Sequence, residues 1–115
     1  MVDYHEPYEL LSDKTKDVSK ALSSLKEEIE AINWYNQRVD TANDEEIKAI
    51  MAHNRDEEIE HACMAIEWLR RNMEGWDEEL STYLFKEGKI TELEEAAEGE
   101  ESEGSDDSLK IGDLE

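Results

Sequence analysis

Between Pro7 and Gly75 the chain contains neither proline nor glycine. These are the residues that most often stop a helix, proline by losing an N–H and clashing with the preceding turn, glycine by its backbone entropy. Pro7 itself suits a first helical position. The apolar residues inside this stretch keep a helical rhythm: Leu11, Val18, Leu22, Leu25, Ile29 and Ile32 are separated by 7, 4, 3, 4 and 3 positions, one stripe along one face. This predicts a first helix over about 8–38. Asp40-Thr41-Ala42-Asn43-Asp44 is a polar break, and Asn43 followed by Glu46 has the form of an N-cap with its reciprocal acid. Ile59, Ala62, Ile66, Leu69 and Met73 then step by 3, 4, 3 and 4, predicting a second helix over 44–73. Arg70 and Arg71 sit near its negative end and Gly75 stops it. Asp77 opens a short third helix to about Lys86, closed by Gly88, and 91–98 adds a turn or two. The fold class expected is all-α.

Two helices of about 30 residues, each roughly 45 Å long, make an antiparallel hairpin that covers only one side of each. Trp34, Ile47, Met51 and Trp68 widen the apolar surface beyond a single seam. Pairing with a second copy into a four-helix bundle is the natural way to bury it. The chain's 33 acidic and 12 basic residues give a net charge of −21. That charge argues against nucleic acid and anionic membranes as partners and favours cations. No apolar run approaches the roughly 20 residues a membrane span needs, and no signal-peptide core opens the chain. The single Cys63 excludes an internal disulfide and fits a reducing, cytoplasmic setting. Every Trp, Tyr, Met and Phe lies in residues 1–92, the expected domain. Residues 93–107 read as an acidic, flexible linker and 108–115 as an apolar-tipped terminus.

On the second helix Glu58 and His61 stand three apart, one turn apart on one face, so a carboxylate oxygen and an imidazole nitrogen can meet at one metal ion. They continue the row Ile47, Met51, Asn54, Glu58, His61, Ala65, Trp68. So short a pattern also arises as a solvated Glu/His pair, and Glu57 and Glu60 compete as the ligating acid. On the first helix Glu28 falls between Leu25 and Ile32, inside the apolar seam, where a lone carboxylate is costly unless paired or metal-bound. Glu28 lies 12 residues before Asp40 and Glu58 lies 14 after Asp44, so a hairpin brings both to nearly the same height. Di-iron carboxylate bundles take one Glu from each of two helices and a Glu-x-x-His from each of the other two. This chain supplies half of that set, and a two-fold dimer would complete it, four carboxylates balancing the charge of two Fe²⁺.

Longer blocks carry a resemblance. His5-Glu6-Pro7, the run from Glu27 to Asp40, the run from His53 to Ala62, Glu67-Trp68-Leu69-Arg70-Arg71-Asn72 and Thr82-Tyr83-Leu84-Phe85 together strongly resemble the encapsulated ferritins, the ferritin-like cargo of encapsulin nanocompartments. The resemblance implies a ferroxidase, an Fe(II):oxygen oxidoreductase whose di-iron centre, two Fe per interface, forms only between paired chains, with dimers arranged in an open decameric ring. It implies Glu28, Glu58 and His61 as iron ligands with Tyr35 beside the centre. Glu27, Glu30 and Trp34 are implied to form a site through which metal comes in near the two-fold axis, and His53, Glu57 and Glu60 a peripheral metal site; calcium or another divalent cation suits either. Asn33 stands where the family often has an acid before the Trp. Trp34 and Tyr35 also suit plain interface packing, and Glu27 and Glu30 a solvated face. Cys63 is expected to be buried or at an interface, off the Glu58/His61 row. Leu109, Ile111, Gly112 and Leu114, at the end of a solvated tether, resemble the targeting peptides that hold cargo on the inner wall of an encapsulin shell, which would store the mineral. Two other classes fit the same residues: a non-catalytic acidic metal-binding helical module, and another di-metal oxidase or peroxidase.

Overall fold

A computed structural model describes residues 4–103; the terminal segment carrying Leu109, Ile111, Gly112 and Leu114 lies outside the described residues. The described chain is all-helical, as expected: a 3₁₀ turn at Tyr8–Leu10, then α1 (Asp13–Thr41), α2 (Glu45–Asn72), α3 (Trp76–Tyr83) and α4 (Ile90–Glu103). It divides into two compact units, Met1–Asn72 and Met73–Glu115.

In the first unit α1 starts five residues later than its apolar rhythm suggests. Pro7 opens only the short 3₁₀ turn, Leu11 is extended, and Ser12 caps α1 by accepting the Thr15 N–H at 3.1 Å. A hydroxyl that satisfies one of the orphan N–H groups outweighs the apolar residue immediately before it. The cap of α2 also differs from expectation. Asp44, not Asn43, accepts the Ile47 N–H at 2.9 Å, and its carbonyl takes the first helical bond from Lys48. The carboxylate wins because it is charged and faces the positive end of the helix. At the far end of α2, Glu67 receives both Arg70 (2.8 and 2.9 Å) and Arg71 (2.6 Å). That double grip holds the exposed carboxyl down at about 2.

The α1–α2 seam is narrower than the sequence stripe. Among the described residues the buried apolar ones are Leu25, Ala62 and Leu69. Val18 and Ile32 are half-buried, while Leu22 and Ile29 face outward. At about 100° per residue, Glu28, Ile32, Tyr35 and Val39 fall to one side of Leu25 and Leu22 and Ile29 to the other, so a single neighbouring helix covers the first side and leaves Leu22 and Ile29 on the flank. Glu28 is thus a seam residue in fact.

In the second unit α3 stops at Tyr83 rather than Lys86, because Leu84 is extended and Phe85 takes a left-handed φ of 59°. Gly75 (φ 104°) and Gly88 (φ 100°) supply the turns on either side. Helix α4 runs well past the turn or two expected over 91–98 and into the acidic stretch read as linker. Leu93 and Ala97 form its half-buried side, and Glu and Ala are good helix formers with no proline among them. Burial, with Glu94, Glu79 and Glu98 nearby, pushes the Tyr83 phenol up.

Candidate metal centre

The hairpin sets two carboxylates and one imidazole together. Donor atoms of Glu28, Glu58 and His61 all lie within 4.8 Å of one another, and among the described residues they form the one such group of His, Cys, Asp or Glu. His61 Nδ1 is 3.5 Å from Glu58 Oε1, one turn apart on α2. Glu28 comes from α1, placed at that height by the lengths of the two helical arms. All three are half-buried.

Glu28 is the unusual member. Its Oε1 is buried and has no hydrogen-bond partner. Burial pushes its carboxyl up first; the Glu58 and Glu27 charges push the same way, while the His61 imidazole pulls it down. Buried carboxylate oxygens are nearly always satisfied, so an orphan oxygen on a residue whose carboxylate lies within 4.8 Å of a second carboxylate and an imidazole fits a cation held by the group. Two oxygens and one nitrogen suit Fe²⁺, Mn²⁺ or Zn²⁺ rather than a soft, sulfur-seeking ion. Three donors fall short of the four to six such ions take. This chain therefore offers part of a coordination shell.

The other residues singled out in the sequence are spread around this group. Tyr35 is half-buried, two turns along α1 toward the loop, with the Arg38 guanidinium 5.2 Å over its ring. Glu27, Glu30 and Trp34 are on exposed surface of α1, Trp34 being 51% exposed. His53 Nε2 pairs with Glu57 Oε2 at 3.5 Å on the solvent side of α2. Glu60 lies apart from that pair, in a shallow depression with Cys63, Met64, Glu67, Trp68 and Arg71. His53, Glu57 and Glu60 thus do not converge on one point in the single chain. Cys63 is exposed in the single chain, so of the two expected settings, buried or at an interface, burial within the hairpin is not what is seen; its position on α2 turns away from α1.

One feature of the site's surroundings was not legible. Arg55 Nη1 donates to Asn36 Oδ1 at 3.0 Å, tying α2 to α1 one turn from Glu58, while its Nε donates to Asp56 at 3.1 Å. The available signal was weak: Arg55 is the one Lys or Arg between Lys48 and Arg70, in an acid-rich stretch.

The sequence pattern of the EncFtn-like family matches residues 3–87, which includes both arms of the hairpin and all three donors. The chain belongs to the EncFtn-like family. This EncFtn-like protein is 59% identical over 104 residues to a "Ferritin-like protein" of Thermotoga maritima, covering 90% of this chain and 91% of that one. It is 50% identical over 121 residues to an "Encapsulated ferritin-like protein" of Rhodospirillum rubrum, with 96% and 86% covered. A Myxococcus xanthus "Encapsulin nanocompartment cargo protein EncC" is 36% identical over 67 residues, 56% of this chain and 52% of that one. The crystal structure of a Nitrosomonas europaea protein superposes with a TM-score of 0.73 at 54% identity, covering 76% of this chain and 96% of that one. The resemblance to encapsulated ferritins is borne out, and the function of this EncFtn-like protein is accordingly ferritin-like and iron-related. Among the described residues no helix is long and apolar enough to cross a membrane.

Proposed function

We propose that the protein is a ferroxidase that takes Fe²⁺ as substrate and O₂ as oxidant at a di-iron centre shared by two chains. The observation that carries this reading is the half-site: Glu28, Glu58 and His61 with donor atoms within 4.8 Å, and a buried Glu28 oxygen left without a partner. A two-fold axis beside these residues doubles the donors to four carboxylates and two imidazoles, enough for two ferrous ions at charge balance. Exposed apolar residues on the same hairpin, Trp34, Ile47 and Ile50 among them, each near half exposed, support pairing with a second copy.

In this reading Glu28 and Glu58 bind the substrate ions through hard oxygens, which suit both oxidation states, and His61 adds a neutral nitrogen. The two Fe²⁺ give one electron each to one O₂, which with two protons becomes hydrogen peroxide while both ions become Fe³⁺. Tyr35 stands beside the centre, with Arg38 over its ring holding it in place. Glu27, Glu30 and Trp34 form the approach near the two-fold axis, where acidic charge raises the local Fe²⁺ concentration in a salt-dependent way. His53, Glu57 and Glu60, which do not converge within one chain, contribute to a peripheral site between copies, which also takes calcium or another divalent cation. Dimers assemble to a decameric ring. Residues 108–115, through Leu109, Ile111, Gly112 and Leu114, bind the encapsulin shell protein, placing the enzyme in the cytoplasm inside a nanocompartment that stores the mineral. The names of the Rhodospirillum rubrum and Myxococcus xanthus relatives support the shell partnership.

The test is aerobic Fe²⁺ addition followed by ferric-oxo absorbance in the near ultraviolet. Wild type is expected to turn over, and Glu28→Ala, Glu58→Ala and His61→Ala to lose turnover while keeping helicity. Metal binding without oxidation would instead identify a non-catalytic metal-binding module. Oxidation driven by peroxide but not by O₂ would identify a di-metal peroxidase.

A further inference from the structure

The metal group draws its donors from two helices, so it exists only while α1 and α2 hold one relative height. The donor atoms lie within 4.8 Å, and a slip of one helical turn moves an arm by about 5.4 Å, enough to take the group apart. On the side of the site away from the loop, packing fixes that height: Leu25 precedes Glu28, while Ala62 and Leu69 follow Glu58, and these are the buried apolar residues. On the loop side the seam is only half-buried, at Ile32, Tyr35 and Val39, and the short connection between Thr41 and Glu45 closes the hairpin. A polar tie adds to them between that connection and the site. Arg55, with its side chain 28% exposed, reaches from α2 to Asn36 on α1 at 3.0 Å and is itself braced by Asp56 at 3.1 Å. A guanidinium can only donate, which fixes the Asn36 oxygen as the acceptor. A planar fork held at two points sets a height more sharply than an ammonium would.

We propose that Arg55 and Asn36 are positioning residues: without touching metal, their hydrogen bond fixes the height of α2 against α1 on the loop side and so holds Glu58 and His61 opposite Glu28. This rests on reading those three as a metal site. It also assigns Arg55 a geometric part rather than the role of a diffuse positive charge among acids.

Two readouts on the full chain test it. The first is metal-independent: pulsed dipolar EPR between spin labels on the native Cys63 and on Lys26→Cys, diluted with unlabelled chain. The second is Co²⁺ affinity and the intensity of its ligand-field bands, a signature that a loss of general stability does not change. Asn36→Leu and Arg55→Met are expected to broaden or shift the distance distribution and to weaken Co²⁺ binding about tenfold, the size of one lost hydrogen bond to a charged group. Asn36→Asp, which keeps the acceptor, is expected to retain both values, and the double variant to be no worse than either single one. An unchanged distance distribution overturns the proposal, as does a shifted distribution with unchanged Co²⁺ binding. If wild type gives no Co²⁺ signal that Glu58→Ala removes, the metal-site reading falls, and the EPR distances alone still decide whether the tie sets the height.

Discussion

Replacing Glu28 with leucine should move stability in opposite directions with and without metal. In the metal-free protein Glu28 is a liability: its Oε1 is buried without a partner, and burial with neighbouring acids pushes its carboxyl up. An unsatisfied buried polar atom costs roughly 1–3 kcal/mol. The residue as a whole is only half-buried, so the low end, about 1 kcal/mol, applies before any gain from leucine beside Leu25 and Ile32. Glu28→Leu should therefore raise the urea midpoint in EDTA at pH 7, read by helical circular dichroism. Glu28→Gln, which removes the charge but leaves a polar end, should fall between. The pH dependence has a definite sign. A carboxyl whose folded value is raised binds its proton more tightly when folded, so its cost is present above the folded value and is relieved as pH falls through it. The advantage of the leucine variant should accordingly shrink on acidification. With divalent metal at a hundred times its Kd the order should reverse, because wild type gains about 2.7 kcal/mol by mass action and the variant gains none. If Glu28→Leu destabilises the EDTA-treated protein, Glu28 is a satisfied structural group and the argument for a cation at its orphan oxygen fails.

Asp44→Ala should lower stability by about 1 kcal/mol through loss of the α2 cap, seen as a lower melting temperature, whereas Asn43→Ala should change little. The Glu67 carboxyl should titrate near 2 in a carbon-detected NMR titration; its lowered value means the Arg70/Arg71 grip is intact above the ordinary carboxylate range and is lost only as pH falls toward 2. Arg70→Ala should bring that titration back toward normal. Adding Fe²⁺ without oxygen should shift the protein to a larger species in gel filtration, a shift that Glu58→Ala abolishes. Removing 108–115 should abolish shell capture and leave iron oxidation unchanged; a drop in oxidation would show that tail and core are not separate.

Much of the fold and the core of the site could be read from residue order, and the parts that could not share a cause. The hairpin was legible because helical spacing and the absence of proline and glycine are local properties. The meeting of Glu28, Glu58 and His61 was legible because two arms of nearly equal length and one turn of α2 bring them to nearly the same height by counting alone. The boundaries at Ser12 and Asp44 were harder, since several neighbouring residues compete for each cap and small differences in geometry decide between them. The flank positions of Leu22 and Ile29 were not legible because an apolar stripe has two edges and only the placement of the second helix decides which edge is covered.

Spacing along the chain, then, determined that there would be two long amphipathic arms with two carboxylates and an imidazole at matching heights, because these follow from the 1.5 Å rise and the 3.6-residue turn. Only the folded hairpin decided that Glu28 would keep one oxygen buried and unpartnered, that Cys63 would face outward, and that Arg55 would reach Asn36. Each of those depends on where a second helix stands, and a side chain's solvation and partners are set by neighbours distant in sequence.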